Sequence, residues 1–306
     1  MQIGILGLGK MGANMARRLA RGSVKVAVWN RNHAVAVQLA QEQAGVDAHE
    51  SIQSLVAHLV SPRVVWLMLP AGDASETVLH ELAELLSPGD LIVDGANAYF
   101  KDSQRHADDM AAHGMRFMDA GVSGGVWGLE NGYALMLGGS GTDMALVKPF
   151  VQILAPGADS GWLHCGPVGS GHFVKMVHNG IEYGMMQALA EGLSLLKARE
   201  EFALDLAEIS EMWRHGSVVR SWILDLTADF LRNDQNLEGI APFVADSGEG
   251  RWTVLEAVEQ GVPVPVMSLS LMMRFASQGR HDYTSKLLAM MRKGFGGHGI
   301  KESGHD

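Results

Sequence analysis

Cysteine is almost missing from this chain: Cys165 is the single one in 306 residues. That excludes an intrachain disulfide and any multi-cysteine metal site, and it fits a reducing compartment. Long apolar runs are missing too, none reaching the roughly 20 residues that a membrane-spanning helix needs. Positive charge is in deficit, with 24 Lys and Arg against 34 Asp and Glu and a formal net charge of −10. Such a balance argues against nucleic acid or an anionic membrane as the main partner, while leaving room for a local basic pocket. The chain has 13 histidines, but none stands in HExxH or a comparable ligand spacing, so no metal is expected. Internal repeats and low-complexity tracts are absent. The first apolar strand starts at Gln2 and leaves no space for a targeting segment, so a cytoplasmic location is expected. What is present is the composition of a globular protein, 47% hydrophobic and 19% charged, with length enough for two domains.

The apolar run Gln2–Leu6 breaks into Gly7-Leu8-Gly9-Lys10-Met11-Gly12, and Ala13–Arg21 follows with helical character. Strand, glycine turn and helix are the context in which GxGxxG points to a dinucleotide. Gly7 permits the tight turn, Gly9 lets the pyrophosphate reach the backbone, and Gly12 lets the helix pack close. The helix N-terminus then faces the phosphates. The end of the second strand, Val24–Trp29, selects the cofactor. An acid there would bond the ribose 2′-OH of NAD, whereas an arginine accommodates a 2′-phosphate. This chain has Asn30-Arg31-Asn32 and no acid. NADP is favoured, and NAD stays open because Asn30 can bond an unmodified ribose.

Further strands are expected at Val64–Leu69, Leu91–Val93, Arg116–Asp119, Ala134–Leu137 and Gly161–Leu163, with helical segments alternating between them. Asn97 lies just past a strand's carboxyl end, where ligands bind in open α/β sheets. Gly121-Val122-Ser123-Gly124-Gly125 offers a hydroxyl and bare backbone N–H groups, a cradle for a carboxylate. Both stretches also suit ordinary turns. The alternation predicts an α/β fold: a Rossmann-type doubly wound sheet over 1–168, followed by an all-helical domain over 169–306 that ends in a C-terminal tail. Met267, Met272, Met273, Met290 and Met291 in the helical half read as core or subunit interface.

Gly169–Gly184, GSGHFVKMVHNGIEYG, opens that half. Phe173, Val174, Val177 and Ile181 have the spacing of a buried helical stripe. Lys175, His178, Asn179, Glu182 and Tyr183 stack on a second, polar face. Gly180 and Gly184 each cost about 1 kcal/mol relative to Ala inside a helix. They fit a place where a ligand or another backbone comes close. The alternative to a site is a solvated face with a Lys–Glu pair.

HFVKMVHNGIEY, GVSGG and the N-terminal GLGKMG together resemble the decarboxylating 6-phosphogluconate dehydrogenases. The length and single helical domain resemble the shorter form of that family. The resemblance implies that Lys175 is the base for the C3 hydroxyl and then the acid for the C3 oxygen, and that Glu182 protonates C1. It implies that Ser123, Gly124 and Gly125 hold the C1 carboxylate, with Asn97, His178 and Asn179 fixing sugar hydroxyls and nicotinamide. Tyr183 and Arg274 would contact the phosphate. Arg292 and His298 would reach into a neighbouring subunit's site, which implies a homodimer or homotetramer. Two departures stand out. The longer members of the family carry a phosphate-binding lysine before their G-K-W-T; here the loop is shortened to Asp246-Ser247-Gly248-Glu249-Gly250-Arg251-Trp252-Thr253, leaving Arg251 as a candidate substitute beside an awkward Glu249. The cofactor turn lacks the acid that short-form relatives often carry.

The chemistry asks for these residue types. A β-hydroxy acid oxidised to a β-keto acid loses CO2 through an enol without a metal. One group must cycle between base and acid, and burial or nearby positive charge adapts a lysine to that task. Two other readings compete: a non-decarboxylating β-hydroxyacid dehydrogenase of a small unphosphorylated acid, and a non-catalytic dinucleotide sensor.

Overall fold

A computed structural model describes residues 1–279 and 282–296. The chain forms two compact units, Met1–Val177 and the remainder from His178.

The first unit is built on an eight-stranded sheet in the order β3-β2-β1-β4-β5-β6-β7-β8. One side of it comes from β1 (Gln2–Leu6), α1 (Lys10–Arg21), β2 (Lys25–Trp29), α2 (His33–Glu42), β3 (Val46–Ala48) and α3 (Ile52–His58). The chain then returns to the middle with β4 (Val64–Leu67) and continues outward through α4 (Asp73–Leu85), β5 (Leu91–Asp94), α5 (Phe100–Ala112) and β6 (Arg116–Ser123). The one-turn α6 (Gly128–Asn131), then β7 (Ala134–Gly138), α7 (Gly141–Leu154) and the edge strand β8 (Trp162–Gly166) complete it. All neighbours run parallel except β6 and β7. Strand order reverses between β1 and β4, the switch point at which such sheets bind ligands beyond their carboxyl ends.

Apolar runs buried on both faces explain the strands. Ile3, Ile5, Trp66 and Val93 pack on one face with Met15 and Leu19 of α1 and Val147 and Phe150 of α7. Leu6, Val65, Leu67 and Ile92 pack on the other with Leu55 of α3, Leu79 and Leu82 of α4 and Met110 of α5. The period-2 alternation along each strand thus divides one sheet between two cores.

Three differences from the sequence reading have physical causes. β3 escaped it because it is three residues long and only Val46 is fully buried. β6 does not stop at Asp119 but runs to Ser123, because antiparallel β7 extends the ladder and pairs Ser123 with Ala134. Helix α8 (Ser170–Lys197) forms as expected, but its apolar stripe is only partly buried, Phe173 and Val177 being half-buried. His172, Lys175, Met176 and Tyr183 are buried, while Val174 and Ile181 are 39% and 52% exposed.

Among the described residues no strand follows β8. The second unit takes up the later turns of α8 and adds α9 (Leu206–Arg214), α10 (Trp222–Leu231), α11 (Glu249–Gln260), α12 (Pro265–Ser277) and α13 (Asp282–Gly296). Asp205 and Ser221 cap α9 and α10 by accepting backbone N–H bonds. α11 begins at Glu249, directly after Gly248 at φ +107°. No described helix is long and apolar enough to cross a membrane.

Candidate active site

In the first unit the glycine turn has the shape its spacing predicts. Gly7 has φ +97°, and a Cβ there would lie 2.5 Å from the Met68 carbonyl oxygen. A Cβ on Gly12 would lie 2.1 Å from the Gly7 oxygen, so α1 packs directly on the turn. Gly9 instead faces open space. Leu8, Gly9, Lys10, Asn14, Arg17 and Val126 line a cleft of about 350 Å³. Arg17 pairs with Glu42 at 2.8 Å, while Lys10 is exposed at the start of α1. Open backbone at a helix N-terminus fits a pyrophosphate. Met11 is half-buried beside this turn.

Asn30 fastens the same groove. Its Oδ1 accepts from the Leu8 N–H at 3.0 Å, and its Nδ2 donates to the Asn32 carbonyl at 3.1 Å. Asn32 in turn caps α2, its Oδ1 accepting from the Ala34 N–H. Between them Arg31 is exposed and makes no hydrogen bond or ion pair among the described residues.

Lys175 is fixed by the sheet. It is 9% exposed, and a Cβ on Gly121 of β6 would lie 2.4 Å from the Lys175 Cβ. The same strand supplies Asp119, fully buried, whose Oδ1 accepts from the Gly169 N–H at 2.6 Å and Oδ2 from the His172 N–H at 2.7 Å. A carboxylate on the unsatisfied N–H groups at a helix start makes strong, charge-assisted bonds. Cβ atoms on Gly138 and Gly171 would lie 2.3 Å from Asp119 Oδ1 and 2.9 Å from its Oδ2, so both glycines clear the clamp. His172 also meets Ser103 of α5, Nδ1 to Oγ 2.7 Å. Asp119 was not singled out from sequence. The available signal was an acid between Met118 and Ala120 inside an apolar strand, since such an acid needs partners.

Past Asp119, β6 delivers Ser123 to Gly124 (φ +137°) and Gly125 (φ +54°), and Gly125 faces open space. Asn97 is exposed just beyond β5, in a loop shaped by Asp94 Oδ1 accepting from the Ala96 N–H at 3.0 Å.

The second unit gathers the other residues of the polar stripe. His178 Nδ1 lies 3.0 Å from Asn179 Oδ1 and 3.9 Å from Glu182 Oε2. Asn179 Nδ2 donates to Oε1 of Glu249, a residue only 4% exposed, at 3.2 Å. Glu249 is thus engaged with the stripe. The Tyr183 ring is buried beneath the Arg274 guanidinium, 3.4 Å above its centroid, and its hydroxyl has no partner among the described residues. Arg274 also donates to the Ala245 carbonyl at 2.8 Å. A stacked arginine and an orphaned hydroxyl fit an anion that completes both. Arg251 is held by Asp246 and lies over the Phe275 ring.

The internal glycines are packing devices rather than ligand openings. A Cβ on Gly180 would lie 2.8 Å from Thr253 Cγ2, and one on Gly184 would lie 3.2 Å from Val266 Cγ1. Arg292 is exposed on α13 and is not brought to these residues by any described contact. His298 lies outside the described residues. Among the described residues no cluster of three His, Cys, Asp or Glu is arranged to hold a metal.

Residues 2–166 match a family model described as the NAD binding domain of 6-phosphogluconate dehydrogenase, and residues 171–301 match one described as its C-terminal domain. The chain belongs to the 6-phosphogluconate dehydrogenase family. A relative from Haloferax volcanii, named as an NAD(+)-dependent, decarboxylating 6-phosphogluconate dehydrogenase, is 40% identical over 301 residues, with 98% of each chain covered. A longer family member from Bacillus subtilis, named as NADP(+)-dependent and decarboxylating, is 36% identical over 292 residues, covering 92% of this chain and 62% of the relative. In structure, the chain superposes on Plasmodium falciparum 6-phosphogluconate dehydrogenase with a TM-score of 0.84 at 28% identity, covering 100% of this chain and 67% of that one. The Plasmodium enzyme is described in complex with NADP+ and with 6-phosphogluconate.

Proposed function

We propose that this chain catalyses the oxidative decarboxylation of 6-phospho-D-gluconate to D-ribulose 5-phosphate and CO2, with NADP preferred and NAD accepted. The observation that carries the reading is Lys175, buried and pressed on Gly121, with Glu182 two turns further along the same helix. NAD(P) supplies the hydride acceptor. Lys175 takes the C3 hydroxyl proton as the hydride departs and returns it to the C3 oxygen as CO2 leaves. Glu182 delivers a proton to C1 of the resulting enediol.

Ser123, Gly124 and Gly125 hold the C1 carboxylate, Asn97 lies at the nicotinamide, and His178 and Asn179 hold sugar hydroxyls. Tyr183 and Arg274 take the phosphate, helped by Arg292 and His298 from a neighbouring subunit. Gly7 to Gly12 cradle the pyrophosphate and Arg31, without a partner among the described residues, meets the 2′-phosphate. The two functional domains divide at 168/169, and the working form is a cytoplasmic homodimer or homotetramer. Apolar residues left exposed on α11 to α13, among them Leu255, Leu269, Met273 and Met290, support a self-associating surface.

The test is initial rates with 6-phosphogluconate, running NADP and NAD in parallel, beside an unphosphorylated β-hydroxy acid. Reduction with 6-phosphogluconate at a higher kcat/KM for NADP is expected. Reduction only with the unphosphorylated acid would overturn the substrate assignment, and a higher kcat/KM for NAD would overturn the role of Arg31.

A further inference from the structure

We infer that Glu249 is a positioning residue: it orients the Asn179 amide, fixes His178 as the Nδ1–H tautomer, and so leaves His178 Nε2 as a bare acceptor for a substrate hydroxyl. The role of that acceptor rests on the function proposed above; the geometry behind it does not.

A carboxylate accepts hydrogen bonds and has none to give, so the Asn179 group facing Glu249 Oε1 at 3.2 Å is the NH2. Turning that amide over would set carbonyl oxygen against carboxylate oxygen. With the NH2 committed, Asn179 presents Oδ1 to His178 Nδ1 at 3.0 Å, and an amide oxygen needs a donor there. The neutral imidazole therefore carries its hydrogen on Nδ1, since the partner of one ring nitrogen decides the state of the other. Glu182, 3.9 Å from the same nitrogen, favours the same tautomer from within the helix. Glu249 acts from a different element, α11, and through burial. Its approach depends on Gly180, where α8 leaves room for Thr253 and Met267.

The consequence is a recognition rule. Nε2 without a hydrogen takes a bond from a hydroxyl and repels a carbonyl or ether oxygen. A sugar acid that offers a hydroxyl donor at this position is held, and an analogue lacking that hydrogen is rejected.

The test uses the full chain with 15N-labelled histidine and long-range 1H–15N correlation spectra in the neutral-imidazole range. His178 is assigned by its loss in His178→Gln. The wild type is expected to show His178 as the Nδ1–H tautomer. Glu249→Leu, which keeps the volume and removes the acceptor, should give a tautomer mixture and lower kcat at least 10-fold. Glu249→Gln, whose amide oxygen still accepts, should restore the tautomer and most of kcat. A wild type showing Nε2–H, or a Glu249→Leu protein with the tautomer unchanged, would overturn the inference. The wild-type spectrum decides even where Glu249→Leu fails to fold. Because the spectra need no turnover, an Nδ1–H tautomer in a protein inactive on 6-phosphogluconate would sink the substrate reading and leave the positioning role standing.

Discussion

The two units bury their apolar residues very differently. Met1–Val177 fills both faces of its sheet and leaves only six large apolar side chains exposed among the described residues, including Val126 and Trp127. The remainder of the described chain leaves twenty-seven exposed, and its one core cluster is Leu206, Ala207 and Leu231. A monomer rarely tolerates so much uncovered apolar surface. The first unit covers its apolar side chains within one chain, whereas the helical unit leaves many of its own uncovered among the described residues. Site residues follow the same division: Lys175 is buried against Gly121 of β6, while Tyr183 keeps a hydroxyl unpartnered among the described residues beneath the Arg274 guanidinium.

The largest expected effect bears on the buried lysine. Lys175→Met should lower kcat by about 10²–10⁴-fold, the range for losing a general acid–base group. Dinucleotide affinity, measured by fluorescence titration, should stay within twofold. Association comes next. Leu269→Glu on α12, where the side chain is 60% exposed, should convert the assembly to monomers by light scattering. An unchanged mass would show that α12 lies outside the interface.

Paired glycine substitutions sharpen the contrast in rigidity. A Cβ on Gly171 would lie 2.4 Å from the Met136 carbonyl oxygen, a backbone atom that cannot step aside. Gly171→Ala should cost about 1–3 kcal/mol or more, read from denaturant midpoints. Gly180→Ala meets the ends of Thr253 and Met267 side chains and gains about 1 kcal/mol of helix propensity, so its net change should be smaller. Equal losses at the two sites would erase the distinction.

The smallest effect lies on the surface of the first unit. Chiefly through its bond with Arg105, and helped by His106 against partial burial, Glu76 is held at about 2 rather than near 4.5. A depressed folded value contributes stability above pH 4.5 that is lost as pH falls from there toward 2. The carboxylate is about one-third exposed, so screening limits the contribution to under about 1 kcal/mol. Glu76→Gln should lower Tm slightly at pH 7, with the difference shrinking as pH falls toward and through 2.

Most of the sheet was legible because its signals are local. Alternating apolar runs, GxGxxG before a helix and the change of character at Gly169 needed no tertiary information. The polar stripe of α8 was legible as well, but the burial of Lys175 and Tyr183 within it was not. Hydrophobic patterning assigns Val174 and Ile181 to the core, yet the residues buried are the lysine, tyrosine and glycines. Gly121 and Asp119 of β6 press directly on Lys175 and Gly171, a tertiary constraint that hydrophobic patterning does not carry. The bond of Glu249 to Asn179 was not legible because the two residues are distant in sequence. Asp119 was hidden for the same reason, since its partners Gly169 and His172 lie fifty residues on.

The central claim is that this site oxidises and decarboxylates one substrate in a single turnover sequence. Its most direct test is 6-phosphogluconate labelled at C1, with reduced nicotinamide and labelled CO2 counted together. The account predicts one CO2 for each nicotinamide reduced and a ketopentose phosphate as product. Reduced nicotinamide without labelled CO2 would contradict it.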